Sequence, residues 1–302
     1  MTDAIVEVSN LTHDYGEVVA LKDLDLTVPP GITGLVGANG AGKTTMLRIL
    51  LGLLHPTSGQ AVVLGHNSES EPLDVRARVG YMPEGSCIPD DLTAAEFVAY
   101  TAQLAGIPKN ESKRRASETL FLVGLAEERF RFLGDFSTGM KQRVKLAQAL
   151  VHDPDLVLLD EPASGLDPKG REQMLALIRR LGEFGINVIM SSHVLTDIEQ
   201  TCSWVVMLDG GNLLRSGPLG NFDVDTTVHV EVLDDSDRLA ANLRSKGIEV
   251  RVDGRHLYVG PGDRSLEVEI MASVATTDTG LVKMLRASAS LESLFLEGSK
   301  DD

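Results

Sequence analysis

Residues 37–45, with the sequence GANGAGKTT, constrain the fold most strongly, because they contain the phosphate-binding pattern G-x-x-x-x-G-K-[ST]. An apolar run precedes this segment and a stretch with helical apolar spacing follows it, which predicts a strand, a loop and a helix. The glycines let several backbone N–H groups point into one concavity, beside the positive end of the helix dipole. The pattern therefore favours a polyphosphate site over a glycine-rich turn that binds nothing.

Two side chains of this loop have predicted roles. We expect Lys43 to reach the β- and γ-phosphates of the ligand. We expect the hydroxyl of Thr44 to hold a Mg²⁺ ion that bridges those phosphates, because Mg²⁺ prefers oxygen ligands.

The composition excludes several kinds of protein. Among 302 residues, 44 are acidic and 28 are basic, which gives a net charge of −16. Such a surface repels nucleic-acid backbones and anionic headgroups, so no nucleic-acid partner is expected, and solubility accounts for the charge. Cys87 and Cys202 lie far apart in the sequence, which indicates free thiols and not a metal site or a disulfide framework.

No targeting or membrane segment is recognisable in the sequence. The first residues lack the basic and apolar regions of a secretory signal. No apolar run approaches the roughly 20 residues that a membrane helix needs. We therefore expect a cytoplasmic chain that reaches a membrane only through a partner.

The hydrophobic pattern predicts the elements around the loop. Alternation in residues 5–8 and 24–28 predicts two half-buried strands. Residues 88–152 have helical character and predict an inserted helical subdomain. Within it, Thr93 and Glu96 form a predicted capping box, and Ser112 is predicted to cap a further helix.

Two carboxylates and a histidine follow predicted buried strands. Asp160 and Glu161 come directly after the apolar run 156–159, and His193 comes shortly after the run 187–190. In open α/β sheets, ligands bind beyond the carboxyl ends of the strands, so these side chains should face the phosphate loop. Asp160 suits Mg²⁺ and Glu161 suits a water molecule. The alternatives are a solvated turn for the acids and an ordinary packed imidazole for His193.

Two further residues have both a structural and a ligand-binding interpretation. Ser137 is a candidate N-cap, and the free N–H groups beside it form an anion site in one interpretation and an ordinary helix start in the other. Tyr15 lies upstream of the phosphate loop, where its ring either stacks on a base or packs at the end of a strand. Taken alone, both patterns favour the structural interpretation.

The C-terminal part of the chain differs in character. A turn-rich stretch at residues 216–221 is the predicted linker, which gives domains at residues 1–218 and 219–302. Residues 219–302 predict the order β-α-β-β-α-β, a small α+β ferredoxin-like domain that ends in a helix from Ser290. No catalytic constellation is visible there.

Taken in order, these motifs resemble those of the nucleotide-binding subunit of ATP-binding-cassette (ABC) transporters, over residues 4–218. Residues 81–84 are similar to the Q-loop, 136–140 to the LSGGQ signature, 156–161 to the Walker B strand, 164–167 to the D-loop and His193 to the switch histidine. The tail at residues 290–297 is similar to the S-L-E-D-V-F-L-E ending of many such subunits. The resemblance implies an α/β P-loop NTPase fold, with N-terminal antiparallel strands and an inserted helical subdomain.

The resemblance also implies roles for individual residues. ATP would be held by Tyr15 against the adenine and by Gly37, Asn39, Gly40, Ala41, Gly42, Lys43, Thr44 and Thr45 around the phosphates. Mg²⁺ would be held by Thr44, Glu84 and Asp160. Glu161 would be the general base, and His193 would contact the γ-phosphate, with Lys43 completing the catalytic group.

The signature residues imply a partner. Ser137 and Gly139 are expected to bind the γ-phosphate held by the opposite subunit. Because the chain has one phosphate loop and one signature, complete sites require a head-to-tail dimer with ATP between the subunits. The second expected partner is a separate polytopic transmembrane permease, which would hold the chain at the inner face of the cell membrane.

Two departures from the family pattern point to one branch of it. The Q-loop has Glu84 in place of Gln, and the signature has Phe136, Thr138 and Met140 in place of Leu, Gly and Gln. Both are similar to the branch that includes drug, antibiotic and polysaccharide exporters, so an exporter subunit is the favoured interpretation. An importer subunit and a soluble ABC protein outside transport are the alternatives.

Overall fold

A computed structural model describes residues 4–85, 87–222, 228–260 and 265–286. The chain divides into two compact units, Met1–Ser216 and Gly217–Asp302. The predicted helix from Ser290 and the tail motif lie outside the described residues. Within the described ranges, no helix has both the length and the apolar character needed to cross a bilayer.

The first unit contains two sheets. Its strands are β1 (Val6–Asp14), β2 (Val19–Val28), β3 (Ile32–Val36), β4 (Ser58–Val63), β5 (His66–Asn67), β6 (Val79–Met82), β7 (Leu156–Leu159), β8 (Asn187–Ser192), β9 (Trp204–Asp209) and β10 (Asn212–Pro218). An antiparallel sheet has the order β2-β1-β4-β5, and a six-stranded sheet has the order β10-β9-β3-β8-β7-β6. The two predicted N-terminal strands are thus confirmed, and each is longer than its apolar alternation indicated.

The six-stranded sheet positions the site. From β9 through β3, β8 and β7 to β6, every neighbouring pair of strands is parallel. All four residues of β7 are buried, as expected for a strand covered on both faces. Because parallel strands end at the same edge, the phosphate loop after β3, the acids after β7 and the histidine after β8 meet there.

The helices of the first unit are α1 (Lys43–Leu50), α2 (Pro72–Arg78), α3 (Ala94–Leu104), α4 (Lys109–Leu122), α5 (Thr138–Leu150), α6 (Pro168–Glu183) and α7 (Leu195–Thr201). The three helices α3, α4 and α5 lie in the predicted helical subdomain, and α3 begins with the predicted capping box of Thr93 and Glu96. The predicted cap at Ser112 is wrong. The N-cap of α4 is Pro108, four residues earlier, and the buried hydroxyl of Ser112 donates to the carbonyl of Lys109.

The second unit has the element order that the sequence predicts. Its elements are β11 (Val228–Val232), α8 (Ser236–Ser245), β12 (Val250–Asp253), β13 (His256–Val259), α9 (Ser265–Thr277) and β14 (Leu281–Arg286). The strands form an antiparallel sheet in the order β12-β13-β11-β14. One face packs on both helices, with a core that includes Val230, Leu243 and Ile270.

Candidate functional site

The phosphate loop lines a cavity of about 400 Å³. Tyr15, residues 38–45, Glu84, Asp160 and Glu161 contribute to its wall. The structure therefore brings together the predicted loop, the predicted base and the predicted ligands of the metal. Gly42 has φ +102°, and a Cβ atom there would lie 2.5 Å from the carbonyl oxygen of Ala20. Only glycine fits this turn, which directs the loop into α1.

The start of α1 makes the loop an anion site. Its N-cap residue, Gly42, provides no side-chain acceptor for the first N–H groups of the helix. These groups and the positive end of the helix dipole therefore face the cavity. The Lys43 side chain is buried, and its Nζ atom donates to the carbonyls of Gly37, at 2.6 Å, and Ala38, at 3.2 Å. The amine thus lies across the loop, close to where phosphate oxygens would bind.

Thr44 and Asp160 place two oxygen atoms that could bind a metal ion at the edge of the cavity. The hydroxyl of Thr44 donates to Oδ2 of Asp160 at 2.9 Å, and Asp160 is 1% exposed. A hydroxyl and a carboxylate in contact match the donor set that Mg²⁺ takes beside phosphates. Glu84 lines the same cavity, and buried Lys145 donates to its backbone carbonyl at 3.0 Å. Burial lowers the pKa of Lys145.

Glu161 is held between two nitrogen groups. Nδ1 of His193 lies 2.9 Å from its Oε2 atom, and Nζ of Lys43 lies 3.6 Å from its Oε1 atom. The backbone of Glu161 has φ +49°, in the left-handed region. The structure thus brings the candidate base, the switch histidine and the loop lysine into contact across three neighbouring strand ends.

Tyr15 lies at the other side of the same cavity. Its ring is 54% exposed and packs edge-to-face on His13 with centroids 4.4 Å apart. Its hydroxyl lies 3.4 Å from Oγ1 of Thr45. An exposed aromatic face beside the phosphate loop can stack on a flat ring, so both features of the sequence interpretation, packing and availability to a base, are present.

The signature residues line a different cavity. Ser137 and Gly139 lie with the D-loop residues Gly165, Leu166 and Asp167 around a volume of about 610 Å³. Ser137 is the N-cap of α5, since its hydroxyl accepts from the N–H of Met140 at 3.3 Å. Within one chain, the predicted signature contacts are therefore not brought to the phosphate loop.

Sequence reasoning missed two buried polar groups near the base. Ser191 contacts both Asp160 and Glu161, although the sequence singled out only the histidine of this motif.

Arg171 of α6 donates two hydrogen bonds of 2.7 Å to buried Asp197 of α7, which connects the helix after the D-loop to the helix after His193. These hydrogen bonds to the Asp197 carboxylate raise the pKa of Arg171. Because Arg171 and Asp197 lie 26 positions apart, no local sequence pattern indicates that they pair.

Comparison with known proteins gives a consistent assignment. Residues 21–164 match the family model described as ABC transporter. The bacitracin transport ATP-binding protein BcrA of Bacillus licheniformis is 41% identical over 216 residues, which cover 71% of this chain and 70% of that protein. The Nod factor export ATP-binding protein I of Cupriavidus pinatubonensis is 30% identical over 299 residues, which cover 97% of this chain and 90% of that protein.

A solved structure supports the same assignment. The ATP-binding cassette MJ0796, in a dimeric post-hydrolysis state bound to ADP and Pi, aligns with a TM-score of 0.64 at 26% sequence identity. The alignment covers 71% of this chain and 98% of that cassette.

Proposed function

Because the chain belongs to the ABC transporter family of ATP-binding proteins, we propose that it is the ATP-hydrolysing subunit of an exporter and drives a separate membrane permease. The relative named for Nod factor export is similar over nearly the whole chain, which supports the outward direction. The departures at Glu84 and in the signature, both similar to the exporter branch, support it as well.

One observation carries the mechanism. The phosphate loop and the signature line separate cavities of the same chain, so each is half of a site. In a head-to-tail pair of chains, the phosphate loop of each chain faces the signature of the other, and ATP lies between them in two complete sites. Binding of ATP closes this dimer and hydrolysis releases it, because the γ-phosphate holds the two chains together. The dimeric state of MJ0796 supports this arrangement.

ATP would lie along the phosphate-loop cavity. The amides of residues 37–45 and the Lys43 amine would hold the phosphates, and Tyr15 would stack on the adenine. Ser137 and Gly139 of the partner subunit, which line its signature cavity, would close over the γ-phosphate. The contacts of Lys43 with loop carbonyls support this, since a phosphate oxygen would offer the buried amine a stronger acceptor.

The residues present fit a magnesium ion. Thr44 and Asp160 supply adjacent oxygen donors, and Glu84 supplies a further carboxylate at the same cavity. Bound Mg²⁺ would neutralise part of the charge on the phosphates. Glu161 would accept a proton from the attacking water. His193 holds that carboxylate in place and would also contact the γ-phosphate.

The two domains of the chain have different proposed roles. We assign residues 1–218 to nucleotide binding, with the helical subdomain at about 88–152 docking on the permease at the inner face of the cell membrane. Residues 219–302 form an accessory domain.

Purification of the tagged chain from detergent-solubilised membranes of its own source cell tests the proposal. Mass spectrometry should identify a polytopic membrane protein in near-equal amount, absent from a purification with the tag alone. Recovery of soluble partners or ribosomes only would refute the exporter assignment. That result would not contradict ATP-dependent dimerisation, which is tested separately.

A further inference from the structure

Ser191 connects the two acids of the site. It lies near the end of β8, two residues before His193, and its side chain is fully buried. Its hydroxyl donates to Oδ1 of Asp160 at 2.7 Å and accepts from the backbone N–H of Glu161 at 2.9 Å. A single hydroxyl therefore contacts the side chain of one acid and the backbone of the next.

Each contact fixes a different feature of the site. Asp160 accepts from Ser191 through Oδ1 and from Thr44 through Oδ2, so its carboxylate is held from β8 and from α1. Without the Ser191 hydroxyl, this carboxylate would lose one of the two side-chain donors that the described residues provide. The contact with Thr44 would then restrict rotation about the last torsion angle of Asp160 less tightly than the two contacts together.

The second contact concerns the backbone of Glu161. Its φ of +49° is unfavourable for a residue with a Cβ atom, and such a conformation persists only where its surroundings enforce it. The hydroxyl of Ser191 supplies the acceptor for the N–H group of this strained residue. Because a buried N–H without an acceptor is costly, the hydroxyl favours the conformation that directs Glu161 towards His193 and Lys43.

We propose that Ser191 is a positioning residue for hydrolysis, which sets the orientation of the Asp160 carboxylate and the left-handed backbone of Glu161. This inference rests on the roles proposed above for these two acids. Ser191 and His193 lie at the same strand end, so the end of β8 places the base, the ion ligand and the histidine as one group. The competing interpretation is a buried hydroxyl that stabilises the fold alone.

Steady-state hydrolysis by the full chain, with ATP and Mg²⁺ varied separately, tests the proposal. For Ser191→Ala we expect kcat to fall at least about tenfold, because the base and the ion ligand lose their fixed geometry. The KM for ATP should change by less than about threefold, and the half-saturating Mg²⁺ concentration should rise by at least about threefold. Ser191→Thr, which keeps a hydroxyl, should recover most of kcat.

Thr33→Val is the matched control. Thr33 lies in β3, next to β8, and is buried, and its hydroxyl makes no hydrogen bond among the described residues. This variant should keep kcat within about twofold. Thermal unfolding and binding of a fluorescent ATP analogue, measured on every variant, separate folding from positioning.

Three results would decide against the proposal or its premise. If Ser191→Ala keeps kcat and its Mg²⁺ requirement within about twofold of the unmodified chain, Ser191 does not position the acids. If analogue binding and kcat fall in the same proportion, its role is structural. If Glu161→Gln, assayed in parallel, still hydrolyses ATP, the assignment of the base fails independently of the result for Ser191.

Discussion

Nδ1 of His193 lies 2.9 Å from Oε2 of Glu161, and this contact joins the ends of β8 and β7. The other carboxylate oxygen lies 3.6 Å from Nζ of Lys43. A carboxylate held on both sides is fixed in direction.

Glu161→Gln should abolish turnover and trap a dimer that contains ATP. Glutamine keeps the shape of the side chain and a hydrogen bond to His193, but it does not accept the proton of the attacking water. We expect kcat to fall by about 10²- to 10⁴-fold. ATPase assays, with light scattering of the chain on a sizing column in Mg-ATP, measure both effects. The exposed Glu183→Gln on α6 is the control, and near-normal hydrolysis by Glu161→Gln would contradict the role of the base.

Ser137→Arg should block dimer formation and leave ATP binding intact. The residue lies in the cavity of the signature and the D-loop, away from the phosphate loop of its own chain. A long cation there fills the space that the partner's γ-phosphate would need. We expect a monomer in Mg-ATP in the Glu161→Gln background, with the affinity for ATP unchanged within about threefold. Ser117→Arg, on the exposed face of α4, is the control, and a loss of nucleotide binding would count against a role across the dimer.

Tyr15→Ala should weaken ATP binding and leave kcat nearly unchanged. Loss of stacking costs about 1 kcal/mol, which corresponds to a rise in KM of roughly fivefold. Tyr15→Phe keeps the ring and loses only the 3.4 Å contact with Thr45, so its KM should stay within about twofold. Equal effects of the two substitutions would show that the hydroxyl, and not the ring, is important.

The stability of the first unit should fall on acidification through His152. Burial lowers the pKa of this imidazole below 6.5, and its Nε2 atom has no hydrogen-bond partner among the described residues. As the pH falls below about 6.5, the unfolded chain takes up a proton that the folded chain resists, so the free energy of unfolding decreases. Urea midpoints at pH 7.5 and 5.5 measure the loss. His152→Gln should show a smaller difference between the two pH values, and an equal difference would contradict this role of His152.

Local sequence patterns predicted the elements whose burial follows a regular pattern along the chain. The fully apolar run of β7 and the alternation of β1 and β2 indicated strands correctly, because burial on two faces or on one leaves a direct trace in the sequence. The capping box at Thr93 was equally visible, since both partners lie within one turn. The prediction for Ser112 was wrong because α4 begins at Lys109, so this serine lies within the first turn and its hydroxyl donates to the carbonyl of Lys109.

Long-range polar contacts were not predictable from the chain alone. Ser191 and Asp160 are separated by 31 positions, and their contact depends on β7 and β8 being neighbours in register. The pairing of Arg171 with Asp197 depends in the same way on the packing of α6 and α7. The phosphate loop and the acids could be placed at one sheet edge by topology, but the hydroxyl that joins the acids could not.

The separate cavities of the phosphate loop and the signature have a genetic consequence. In a head-to-tail dimer of one Lys43→Ala chain and one Ser137→Arg chain, both defects fall in the same site, so the arginine meets a loop that no longer holds a γ-phosphate and does not prevent the dimer from closing at the other site. The other site combines an intact loop with an intact signature. Two alleles that are each inactive alone should therefore complement each other when coexpressed, restoring one working site in every mixed dimer.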